Sequence, residues 1–137
     1  MRKAWPLVAC GWVGVFGLAV MTAEKPPDEY AKAMKSIDAA AQNLTKAIQA
    51  QDFDAVSTNA GAIVDVFPVV EKYWTGKAED AVELARTAAK SAGDLRAVAG
   101  LKSIEGVAYA MEQLTDTCMQ CHAAHREMLP DGSFQIK

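Results

Sequence analysis

"FDAVSTNAGAIVDVFPVVEKYW", Phe53 to Trp74, decides the fold. Within it Phe53, Val56, Ala60, Ile63, Phe67, Val70 and Trp74 recur at alternating steps of three and four. Such steps average close to 3.6 residues and place all seven side chains on one stripe of an α-helix. A half-buried strand would alternate every second residue, and this run does not. Asp52 stands where an N-cap is needed, and Thr75-Gly76 closes the segment. Pro68 lies inside it and removes one backbone hydrogen bond, so a kink is expected there.

The same rhythm continues outward in both directions. Upstream, Pro26-Pro27 offers a helix start, and Tyr30, Met34, Ile37, Ala41, Leu44 and Ile48 form a first apolar stripe. Downstream, a third helix is expected from about Ala78 to Ala99, with Ala81, Ala85, Ala88, Ala92 and Leu95 on its stripe. Gly100 and Ser103 separate it from a fourth. There Ile104, Ala108, Met111, Thr115, Cys118, His122, His125 and Leu129 share a face. Pro130-Asp131-Gly132 is expected to stop this last helix and leave Ser133–Lys137 as a tail. Four amphipathic helices of similar length with short connections predict an all-α fold, an antiparallel up-down-up-down four-helix bundle.

The N-terminus reads differently. Arg2 and Lys3 precede a run from Ala4 to Ala23 without a charged residue. The pattern predicts an export signal over residues 1–23, cleaved after Ala23 or Ala19, and a mature domain over residues 24–137. The run is also long enough for an uncleaved membrane anchor, so an N-terminal tether is the alternative. Removing the leader takes away two positive charges and Cys10, which leaves Cys118 and Cys121 as the only cysteines. Export implies a periplasmic location and an oxidising compartment. The full chain carries a formal charge of −3 and no clustered basic face, which gives nucleic-acid binding no support.

The chemistry concentrates in "TDTCMQCHAAHREMLPDG", Thr115 to Gly132. Both histidines of the chain and two of its three cysteines fall within Cys118–His125. Cys118-Met119-Gln120-Cys121-His122 is a CxxCH motif. Thiols at i and i+3 share a helix face and can add to the two vinyl groups of one haem, and the following histidine can bind the iron. A zinc site would need ligands from two elements rather than one continuous helix. A thiol–disulfide site would be expected to open a helix after a strand, and no strand pattern precedes this pair. No paired-carboxylate, Ser/His/Asp or glycine-loop constellation is present, so a carrier rather than an enzyme is expected.

A CxxCH motif near the end of a fourth helix, continuing as "CMQCHAAHR", resembles the cytochrome c′ family, the class II c-type cytochromes. The family usually ends in CxxCHxxYR, and His125 replaces its aromatic residue. The likeness extends in architecture over the mature chain and, more loosely, to Met34 and Trp74. It implies one haem c per chain between the first and fourth helices, with Cys118 and Cys121 as covalent anchors and His122 as proximal iron ligand. Arg126, Tyr30 and Ile37 would line the haem pocket. Of the mature methionines only Met34 lies off the fourth helix. At about 1.5 Å per residue, Met34 and His122 stand some 10–12 Å from the same end of the bundle. In low-spin relatives a methionine near this place is the distal ligand; an ordinary core methionine is the competing reading of Met34.

The resulting expectation is an exported monohaem cytochrome that carries one electron between redox partner proteins. The alternative is a five-coordinate haem open to nitric oxide or carbon monoxide, and a haem-free zinc-binding or adaptor bundle is a third. The resemblance also raises a homodimer. Trp74 is expected as a core anchor, Glu79, Asp80 and Glu83 as a solvated face, and His125 against a ring edge or in solvent.

Overall fold

A computed structural model describes residues 23–137. Cys10 and nearly all of the charge-free run, including the site after Ala19, lie outside the described residues. Four helices of 22 residues each follow one another: α1 (Asp28–Gln49), α2 (Phe53–Trp74), α3 (Glu79–Gly100) and α4 (Ile104–His125). Each is about 33 Å long.

The connections use the expected chemistry. Pro27 precedes α1 with an extended backbone. Asp52 Oδ1 accepts from the Ala55 N–H at 3.0 Å and caps α2. Gly76, at φ 77°, makes the turn into α3. Ser103 Oγ accepts from the Gly106 N–H at 3.0 Å and caps α4. Pro68 does not break α2, which runs continuously through it.

Leu44, Ile63, Leu95 and Val56 are the largest fully buried side chains. Six of the seven stripe residues of α2 are buried, and Phe53 is half-buried at its start. The alanines of α3 (81, 85, 88, 92 and 99) are buried too, and their size lets the neighbouring backbones approach closely. Gly106 extends this principle: a Cβ there would stand 3.1 Å from Val98 Cβ on α3.

Burial is uneven around the bundle. α1 packs closely on α2, α2 on α3 and α3 on α4, whereas α1 and α4 make no comparable contact. On α1, Ala33, Ala40 and Ala47 on one flank are buried, whereas Met34, Ala41 and Ile48 on the other are half-buried. On α4, Val107, Ala110, Leu114 and Thr117 are buried, and Met111, Cys118 and His122 stand half-buried beside them. The α1–α4 seam is thus the open side of the fold.

The last helix ends earlier than its sequence pattern predicts. α4 stops at His125, and Arg126 is extended at φ −127°, ψ 134°. Residues 126–128 form β1 (Arg126–Met128), which pairs antiparallel with β2 (Phe134–Ile136). Pro130-Asp131-Gly132 therefore turns a hairpin rather than ending a helix, and the expected tail is its second strand. The cause is local: Asp131 Oδ1 accepts from both the backbone N–H and the hydroxyl of Ser133, and Gly132 takes φ 81°. Glu24 joins the hairpin by exchanging two backbone hydrogen bonds with Ile136, at 2.8 and 2.9 Å.

Leu95 is wholly enclosed, so Leu95→Ala leaves a cavity and lowers unfolding stability by about 2–5 kcal/mol, read as a lower urea midpoint.

Candidate functional site

Cys118 and Cys121 lie one turn apart near the C-terminal end of α4, both half-buried and both free thiols. Burial, reinforced by the Cys121 sulfur, pushes the Cys118 thiol up to about 11. Cys121 is raised as well, by burial first and by the Asp80 carboxylate second. Disulfide-exchange cysteines need the opposite shift, and a helix N-terminus commonly supplies it; these thiols sit at the negative end of a helix dipole. Among the described residues, no three His, Cys, Asp or Glu side chains converge in a way that would hold a metal ion. The four-ligand zinc arrangement is therefore not assembled by this backbone.

His122 is half-buried on the flank of α4 that also carries Cys118. Burial lowers its pKa, Arg126 lowers it further, and Asp38 on α1 opposes both. The imidazole is thereby biased toward its neutral form, the form that can donate a lone pair to a metal. Arg126 Nη1 lies 3.3 Å from His122 Nδ1 and 3.5 Å from Nε2.

Beneath this motif the structure builds an aromatic floor. Trp74 faces His125 with ring centroids 4.8 Å apart and Tyr73 at 5.0 Å. Tyr30 meets Tyr73 at 4.3 Å, and Trp74 Nε1 donates to the Tyr30 hydroxyl at 3.3 Å. Burial pushes the Tyr30 hydroxyl up to about 12, with the Trp74 hydrogen bond pulling the other way. His125 is neither solvent-facing nor idle, since its Nε2 lies 2.7 Å from Asp80 Oδ2 on α3. Asp80, expected on a solvated face, is exposed but holds this hydrogen-bonding contact across elements. Its signal in the sequence was weak, because a contact over 45 residues leaves no local spacing to read.

The floor also fixes the relative height of α1 and α4. Tyr30 and His125 both touch Trp74, so they stand at similar levels. Met34 lies four residues beyond Tyr30 on α1, and His122 three residues before His125 on the antiparallel α4. At 1.5 Å per residue these steps climb about 6 and 4.5 Å, so the two side chains share one level of the seam. Asp38, one turn beyond Met34, acts electrostatically on His122 and Arg126 and marks this flank of α1 as facing the motif. Met34 packs half-buried against the core, and Ile37 is buried on the inward face between Met34 and Ala40. Tyr30, Met34, Cys118, Cys121, His122 and Arg126 are thus brought to one end of the open seam. Ile37 lies deeper in the bundle than these six.

Along the α1–α4 seam, Met34, Ala41 and Ile48 on α1 and Met111 and Cys118 on α4 are apolar and half-buried, and His122 adds a half-buried imidazole beside them. Comparison with protein-family models, curated proteins and solved structures returned no match for this chain.

Two outcomes follow from these shifts. In the free-thiol chain, iodoacetamide alkylates Cys118 at pH 7 at least tenfold more slowly than an unperturbed thiol, and the rate rises steeply toward pH 11. The Asp80 carboxyl is held below the ordinary carboxylate range by its hydrogen bond to His125. A depressed folded-state pKa contributes stability above the unfolded value, near pH 4, and loses it as pH falls through the folded value. Asp80→Asn therefore lowers the denaturant midpoint at pH 6 and flattens its decline below pH 4.

Proposed function

We propose that this chain is an exported monohaem c-type cytochrome of the class II type, a one-electron carrier with covalently attached haem. The observation that carries the reading is the placement of CxxCH on the α4 flank of the one open, apolar seam, level with Met34 on the opposite wall. Cys118 and Cys121 would each add a thiol across a vinyl group: the sulfur bonds one carbon, the hydrogen goes to the other, and no net oxidation occurs. Their protonated, unpaired state is the one this addition starts from. His122 would bind the iron from α4 and Met34 from α1. Bound haem would supply a one-electron iron couple, and a methionine ligand would raise its potential relative to two histidines.

The remaining residues would set the environment. Tyr30, Trp74 and His125 place rings at one end of the seam, where they would pack beside the cofactor. Met119, Met128 and Phe134 are exposed apolar side chains on α4 and the hairpin, suited to brief contact with a redox partner protein. The charge-free run before Ala23 supports export to the periplasm.

Expression of the full chain in a host with haem-attachment machinery tests the reading. The expected product is coloured, gains one haem by intact mass, and shows a low-spin spectrum. Cys118→Ser with Cys121→Ser abolishes covalent attachment. Met34→Ala converts the iron to high spin and lowers the midpoint potential. A high-spin wild type that binds carbon monoxide without change in Met34→Ala would instead establish the five-coordinate gas-binding form. A colourless protein with two free or mutually bonded thiols would overturn the haem reading altogether.

A further inference from the structure

The C-terminal hairpin does more than finish the chain. Arg126 pairs with Ile136 across the strands, so Phe134, two residues before Ile136, is its diagonal neighbour on the same face. The Arg126 guanidinium carbon sits 3.1 Å from the Phe134 ring centroid. Nη1 of the same guanidinium lies 3.3 Å from His122 Nδ1 and 3.5 Å from Nε2. The arginine is thus in contact with both an aromatic ring and the histidine of the CxxCH motif. On the opposite face, Gln135 Nε2 donates to Glu127 Oε2 at 2.9 Å and fixes the strand register. Glu24 exchanges two backbone hydrogen bonds with Ile136, and the Lys137 N–H donates to the His125 carbonyl, so the hairpin is tied at its base to both ends of the domain.

We propose that Phe134 is a positioning residue that holds the Arg126 cation beside His122 and thereby tunes the electronic character of that histidine. An aromatic face attracts a guanidinium through its quadrupole and stacks on it in a defined plane. Arginine has five N–H donors and no acceptor, so it can meet only an unprotonated imidazole nitrogen by hydrogen bonding. If His122 held haem iron, the guanidinium would stand beside the ligating ring as a fixed positive charge instead. Such a charge would draw density from the ring and favour the reduced, less positive state of the iron. The redox consequence rests on the proposed haem function, whereas the clamp itself rests on the hairpin geometry alone.

The experiment has two arms on the full chain. In chain made without haem, proton NMR reads the Arg126 side chain, whose resonances are moved upfield by the Phe134 ring. Phe134→Leu removes that displacement and Phe134→Tyr keeps it. In haem-loaded protein, Phe134→Leu lowers the midpoint potential, Phe134→Tyr leaves it within error of wild type, and Arg126→Gln lowers it at least as far. Phe134→Leu added to Arg126→Gln produces no further drop. An Arg126 resonance unmoved by Phe134→Leu overturns the clamp. Equal potentials in wild type and Phe134→Leu, or a drop that persists in the Arg126→Gln background, overturn the tuning role while leaving the cytochrome reading intact. Failure of haem to attach refutes the cytochrome reading and the tuning role with it, and the NMR arm still decides the clamp.

Discussion

Unequal packing of the four helix interfaces governs this molecule. Three of them close on small and aliphatic side chains. The alanine stripe of α3 lets both neighbours come near, and Gly106 brings the start of α4 down onto Val98. The fourth interface, between α1 and α4, stays apart, so the side chains along it are half-buried rather than enclosed. An apolar cleft costs free energy if water fills it and none if a rigid apolar body does. The division between a closed scaffold and one looser seam leaves Cys118, Cys121 and His122 half-buried at the edge of the core, where the same five residues on a fully packed helix would be enclosed.

Electrostatics reinforces that division. Cys118 and Cys121 are pushed toward the protonated thiol, and His122 toward the neutral imidazole, mainly by the same burial. Two protonated thiols beside a neutral imidazole form a site of low intrinsic thiol reactivity. A redox dithiol works by the contrary arrangement, with a thiolate stabilised at the start of a helix.

The helices were legible because apolar residues recur along them at helical spacing. The α2 stripe from Val56 to Trp74 is buried in the order its spacing implies, and Asp52 and Ser103 cap where caps were needed. The fourth stripe was less well drawn: Ile104, Ala108 and Thr115 are exposed, and the buried positions run one residue earlier, through Val107, Ala110, Leu114 and Thr117. Alanine and threonine weigh little in a hydropathy pattern, so tertiary contact with α3 chose the face. The hairpin escaped because its turn chemistry, Pro-Asp-Gly, also ends helices, and its strands are only three residues long. The Asp80–His125 and Trp74–Tyr30 contacts join residues more than 40 positions apart, and such pairings leave no imprint on neighbouring sequence.

The backbone pairing of Glu24 with Ile136 brings the segment before α1 and the C-terminal strand to one pole, beside Arg126. A purification handle, reporter or immobilisation linker attached after Lys137 would therefore emerge at the pole that carries Cys121, His122 and Arg126. The three-residue connection between α3 and α4 lies at the far pole, and attachment there leaves the motif clear.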